Sequence, residues 1–82
     1  MRYTVTWLPD AEDKLADLWT QASDRQAVAD AANRIERELL RDADRKGQED
    51  DGQRILVDRP LAVTFTVSPD DCLVTIVWVE QI

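Results

Sequence analysis

The segment CLVTIVWV, Cys72 to Val79, constrains the fold more than any other stretch, because Thr75 is its sole polar residue. In an extended chain Cys72, Val74, Ile76 and Trp78 point one way and Leu73, Val77 and Val79 the other. A strand that is apolar on both faces belongs inside a sheet, with a neighbour on each edge. The whole chain has 82 residues, too few for two independent cores, so residues 1–82 are read as one domain.

The neighbours of that strand can be found by periodicity. Leu61, Val63, Phe65 and Val67 alternate with Ala62, Thr64 and Thr66 in PLAVTFTV, a period of two. Arg54 to Asp58 has the same period, and Arg59-Pro60 separates the two segments. Ser68-Pro69-Asp70-Asp71 has the composition of a tight turn, with proline preset for its second position. The three C-terminal strands can therefore form an antiparallel meander.

The N-terminal half reads differently. Arg2 to Leu8 is a strand in which Tyr3, Val5 and Trp7 alternate with Arg2, Thr4 and Thr6. Pro9 ends it, and Asp10 is the expected cap of a first helix that carries Leu15, Leu18, Trp19 and Ala22 and runs to about Gln21. Ser23-Asp24 starts a second helix. Its apolar stripe of Val28, Ala32, Ile35, Leu39 and Ala43 continues to about Lys46, with Gly47 as the stop. Such a helix is roughly 33 Å long, enough to cross a small sheet. Gly47 to Gln53, GQEDDGQ, is polar and reads as a loop. The helical hairpin lets the first strand return beside the last one. The expected fold class is a two-layer α+β domain of order β-α-α-β-β-β, with a four-stranded, mainly antiparallel sheet packed against an αα-hairpin.

Composition narrows the function. The formal net charge is -7, whereas polynucleotide binders present a basic balance or a strong basic patch. The single Cys72 excludes an internal disulfide and a multi-cysteine zinc site. Its apolar surroundings predict a buried thiol in a reducing compartment. The acids of Glu49-Asp50-Asp51-Gly52 lack the alternating spacing of a calcium loop and read as a solvated turn. No cofactor is expected. No run approaches the ~20 apolar residues of a membrane span, and MRYTVTWLPD lacks a signal-peptide core, so the expected location is the cytoplasm.

The order of elements, the opening YTVTWLPDAEDKLADLW and the closing RILVDRPLAVTFTVSPDDCLVTIVWV together resemble the RelE/ParE superfamily of toxin–antitoxin (plasmid stabilisation) proteins across nearly the whole chain. The resemblance implies the fold above and a cognate antitoxin as partner. It also implies one of two cellular targets, DNA gyrase in the ParE branch or the ribosome in the ribonuclease branch. The family's third strand commonly reads Pro-Tyr-Arg-Val, a variable residue, then Tyr-Arg-Val. Pro60, Val63 and Val67 match that pattern, Leu61 and Phe65 replace the tyrosines, and Ala62 and Thr66 stand in the arginine positions.

Cleavage of RNA by 2'-hydroxyl attack needs a group to take a proton, one to return it, and cations for the charge on phosphorus. The chain has no histidine, and Tyr3 is its one tyrosine. The remaining candidates are Arg54 and Arg59, which flank one strand, and Arg41 on the second helix. Guanidinium groups hold phosphate well but stay protonated, so they are poor acid–base catalysts. Arg54 and Arg59 read first as surface charges paired with Asp58 or with the Glu49-Asp50-Asp51 loop, ahead of a phosphate site. Arg34, Arg37, Arg41 and Arg45 form a stripe interleaved with Asp30, Glu36, Glu38, Asp42 and Asp44, the pattern of a salt-bridged solvent face. The expectation is thus a toxin component acting through protein contacts, with two alternatives. One is an mRNA endoribonuclease with an atypical arginine site; the other is a non-toxic interaction domain. Trp7, Trp19 and Trp78 are expected in the core, and an exposed one would suggest an interface anchor.

Overall fold

The computed structural model describes residues 2–43, 47–50 and 52–82, with the side chains of residues 42 and 48–50 left out. In chain order the elements are β1 (Thr4–Trp7), α1 (Pro9–Gln21), α2 (Arg25–Asp42), β2 (Gln48–Asp50), β3 (Gln53–Asp58), β4 (Leu61–Ser68) and β5 (Leu73–Gln81). The sheet order is β1-β5-β4-β3-β2. The β1–β5 pair is parallel and the other three pairs are antiparallel. The apolar strand β5 is interior, with β1 returned to its edge as the sequence predicts. β1 pairs with β5 only as far as Ile76, and α1 also packs against β5.

The core lies between the sheet and the helical hairpin. Leu61, Val63 and Phe65 of β4 are fully buried and meet Val28, Ile35 and Leu39 of α2 and Val74, Ile76 and Val79 of β5 in one cluster. Burying each such side chain contributes about 1.5–3 kcal/mol, which makes this cluster the main source of stability.

Several expectations need correction. The cap of α1 is Leu8, with Pro9 in the first turn and no side-chain cap. Proline has no N–H to satisfy and a preset φ, so the helix starts ahead of Asp10. The second cap is as expected: the Asp24 carboxylate accepts from the Ala27 N–H at 3.0 Å. Residues 44–46, where the end of the second helix was placed, and Arg45 lie outside the described residues. Gly47 (φ +73°) is a close-approach residue: a Cβ there would stand 2.6 Å from the Ile55 carbonyl oxygen. The loop expected at 47–53 instead holds β2, whose Gln48 and Asp50 pair with Ile55 and Gln53 of β3, and Gly52 before β3 has φ +79°. Asp-Gly is a hairpin signal, but Gln48–Asp50 is polar throughout and shows no alternation.

The last strand also differs from simple alternation. Thr64 faces Trp78 and Phe65 faces Ile76, so Val77 is an extra residue in a β-bulge. The bulge moves Val79 onto the helix side and Trp78 onto the other side. Cys72 lies before the strand, in the turn, with φ +49° and a half-buried thiol that donates to the Pro69 carbonyl at 3.6 Å. It is not the buried strand residue that the apolar run suggests.

Candidate protein-binding surfaces

The side of the sheet away from the helices is open. Its strand residues include Thr4 and Thr6 of β1, Ile55 and Val57 of β3, and Ala62, Thr64 and Thr66 of β4. From β5 come Leu73, Thr75, Trp78 and Glu80. Ile55, Val57 and Trp78 are 40%, 55% and 37% exposed. No residue that β1, β3, β4 or β5 turns to this side is a cation. Trp78 is held in place by its own indole N–H, which donates to Glu80 Oε1 at 2.6 Å. Lys14 reaches in from α1, with Nζ 5.6 Å from the Trp78 ring centroid.

Alternation alone places Ala62 and Thr66 on this open side, because Val63 and Phe65 must face the helices. The two positions where the resembled family carries arginine therefore do lie on an exposed sheet face, but with a methyl group and a hydroxyl group. Tyr3 is buried in the core, 6% exposed, with its backbone N–H donating to the Leu40 carbonyl at 2.8 Å.

The three candidate arginines are dispersed. Arg54 is opposite Phe65 in register and so shares the helix side of β3. Arg59 is exposed in the β3–β4 turn, five positions on and about 17 Å along the strand. It borders a cleft of about 340 Å³ shared with Ser23, Asp24, Pro60 and Gln81. Arg41 is exposed in the last turn of α2. Asp58, one of the partners expected for Arg54 and Arg59, pairs with Arg34. The Arg34 guanidinium donates to both Asp58 oxygens at 2.9–3.2 Å and clamps α2 to β3. Those hydrogen bonds, and the Asp58 charge, hold the guanidinium pKa above its ordinary value.

A second surface lies on the outer side of the helical hairpin. Trp19 is 44% exposed and borders a groove of about 450 Å³ between α1 and α2, with Leu15, Val28 and Ala32 along it. Trp7, by contrast, packs against the core, and its indole N–H donates to Glu36 Oε1 at 2.7 Å. Two of the three tryptophans are therefore exposed, against the expectation from sequence. Trp19 follows the helical stripe of α1 yet stays exposed where it lines the groove.

The element order, the parallel β1–β5 pair and the hairpin covering one side of the sheet define this molecule as an α+β protein with the RelE/ParE fold. Solved structures agree. A chain of the RelBE2 toxin–antitoxin complex from Mycobacterium tuberculosis superposes with TM-score 0.80 at 17% identity, covering 100% of this chain and 93% of that one. A chain of the chromosomal ParDE system from P. aeruginosa gives 0.71 at 18% identity, covering 99% and 97%. No family model and no curated protein sequence matches the chain. Among the described residues, no helix is long and apolar enough to cross a membrane.

Proposed function

We propose that this protein is the toxin component of a type II toxin–antitoxin (plasmid stabilisation) system, acting in the cytoplasm through protein contacts rather than by cutting RNA. The observation that carries the reading is the open sheet face, where Ala62, Thr64 and Thr66 offer no charge and Ile55, Val57 and Trp78 offer apolar area. The strands place one carboxylate, Glu80, on this face but no cation, so it suits burial against a protein better than binding a phosphate. The likeness to chains of the RelBE2 and ParDE systems supports an antitoxin partner for this chain as well. Inhibition of DNA gyrase is the cellular action that best suits a face whose strands carry no cation.

Induction of the chain alone in a bacterial host, with growth, RNA integrity and DNA supercoiling followed together, tests the reading. The expected result is arrest with intact mRNA and altered supercoiling, relieved by co-expression of the adjacent small reading frame. Arrest with mRNA cleavage at codon boundaries, lost in Arg54→Ala, Arg59→Ala or Arg41→Ala, would instead establish the ribonuclease alternative. Undisturbed growth would reduce the protein to an interaction domain.

A further inference from the structure

The open side of the sheet has a shape as well as a chemistry. Along β4 its outward residues are Ala62, Thr64 and Thr66, all small. Ile55 and Val57 stand on the strand to one side, and Trp78 on the strand to the other. Those two flanking strands are about 9.6 Å apart, so the face is a shallow trough between an aliphatic ridge and one large knob. Trp78 and Thr64 are register partners, which sets the knob beside the floor at the same height along the strands.

The knob is fixed in advance. Its indole N–H donates to Glu80 Oε1 at 2.6 Å, and Lys14 Nζ lies 5.6 Å from the ring centroid. Both contacts restrict the ring before anything docks, which lowers the entropy that docking has to remove. The ring nonetheless stays more than a third exposed.

Charge and symmetry select the occupant. Of the residues that β1, β3, β4 and β5 turn to this side, Glu80 alone is charged. Lys14 brings the opposite charge to the same ring. A face so nearly neutral, on a chain of net charge -7, offers a strongly charged partner little to recognise. It matches a surface that is equally uncharged and carries a hollow beside a knob, as its own copy does. A two-fold axis lying in the interface and running along the strands between β4 and β5 exchanges the two features. Each Trp78 then comes over the Thr64 of the other copy, the mutual fit that an isologous interface requires. We infer that two copies of this chain pair through the open sheet face. Their strands are aligned as in a β-sandwich, and each Trp78 is seated on the opposing Ala62–Thr64 floor.

Four strands of four to nine residues span roughly 400 Å² of sheet in projection. That is the small end for a specific interface, so the pair is reversible, with a dissociation constant in the micromolar range. The pairing depends on the face alone. Its consequence rests on the toxin reading above: a face covered by a second copy is closed to a target, so self-pairing and target binding exclude one another.

Sedimentation velocity of the purified full chain from about 1 to about 500 μM tests the pairing. The expected result is a shift from monomer to dimer, stronger at about 0.5 M than at about 0.05 M salt, because screening removes the repulsion between two acidic chains. Tryptophan emission should move to the blue over the same range, in Trp19→Phe as in the parent but not in Trp78→Phe. Thr64→Arg fills the hollow and sets two like charges in the interface, and should weaken the dimer about tenfold or more. Ala16→Arg, the same gain of charge on the outer side of the helical hairpin, should leave it nearly unchanged. A monomer throughout, a dimer that loosens as salt rises, a blue shift kept in Trp78→Phe, or equal losses from Thr64→Arg and Ala16→Arg would each overturn the inference. Matching far-ultraviolet circular dichroism spectra guard against unfolded variants. Growth arrest by the chain is read separately: arrest by a chain that stays monomeric sinks the pairing and spares the toxin reading, and a dimer without arrest does the reverse.

Discussion

Gly47 and Gly52 both have positive φ, at +73° and +79°, but only Gly47 also faces a close backbone neighbour. Gly52→Ala meets open space and is strained only through its φ, a cost of about 1–2 kcal/mol. Gly47→Ala adds a collision with the Ile55 carbonyl, so its loss in urea unfolding should be clearly the larger of the two. Asp24 and Asp10 make a second contrast. Asp24→Ala removes a formed cap and should cost about 0.5–2 kcal/mol. Asp10→Ala removes no cap bond and should leave the unfolding midpoint nearly unchanged. Both aspartates look like caps in sequence; Pro9 distinguishes them, because a residue that needs no hydrogen-bond donor can open the helix before Asp10.

Strands β4 and β5 show how far alternation carries at the level of elements. The inward side of β4 is plain in PLAVTFTV, and Leu61, Val63 and Phe65 are all fully buried. The same rule fails in β5 after Ile76, because the bulge at Val77 restarts the alternation. Pairing with β4 sets that bulge, and no residue of β5 announces it. Its consequence is measurable by urea or thermal unfolding. Val79→Ala should cost about 1–3 kcal/mol and Phe65→Ala about 3–5 kcal/mol. Trp78→Ala removes a larger side chain than Phe65→Ala but one exposed by more than a third, so its cost should be the smaller. The helices carry a similar lesson. The arginine stripe of α2 reads as a ladder of pairs along one helix, yet Arg34 reaches across to Asp58 of β3. A charge on the helix border will leave its own element when a carboxylate is presented by the next one.

At the scale of the whole molecule, charge and surface shape govern what can be bound. With 10 cations against 17 acids, and none of those cations carried by the strands on the open face, single-stranded RNA should not bind at 0.15 M salt. Lowering the salt should not rescue binding, since weaker screening extends the repulsion. Fluorescence anisotropy with a labelled oligonucleotide checks both statements. The sequence by itself determined the order of elements apart from β2, the interior place of β5, the acidic balance and the absence of imidazole. Each of these follows from local periodicity or from composition, which need no knowledge of distant contacts. Only the tertiary structure decided that Ala62 and Thr66 share an open face with Ile55, Val57 and Trp78, and that Arg54 and Arg59 stand far apart. It also decided that Trp19 borders a groove between α1 and α2. Strand register and helix packing bring together residues distant in the chain, and no local pattern encodes which ones will meet.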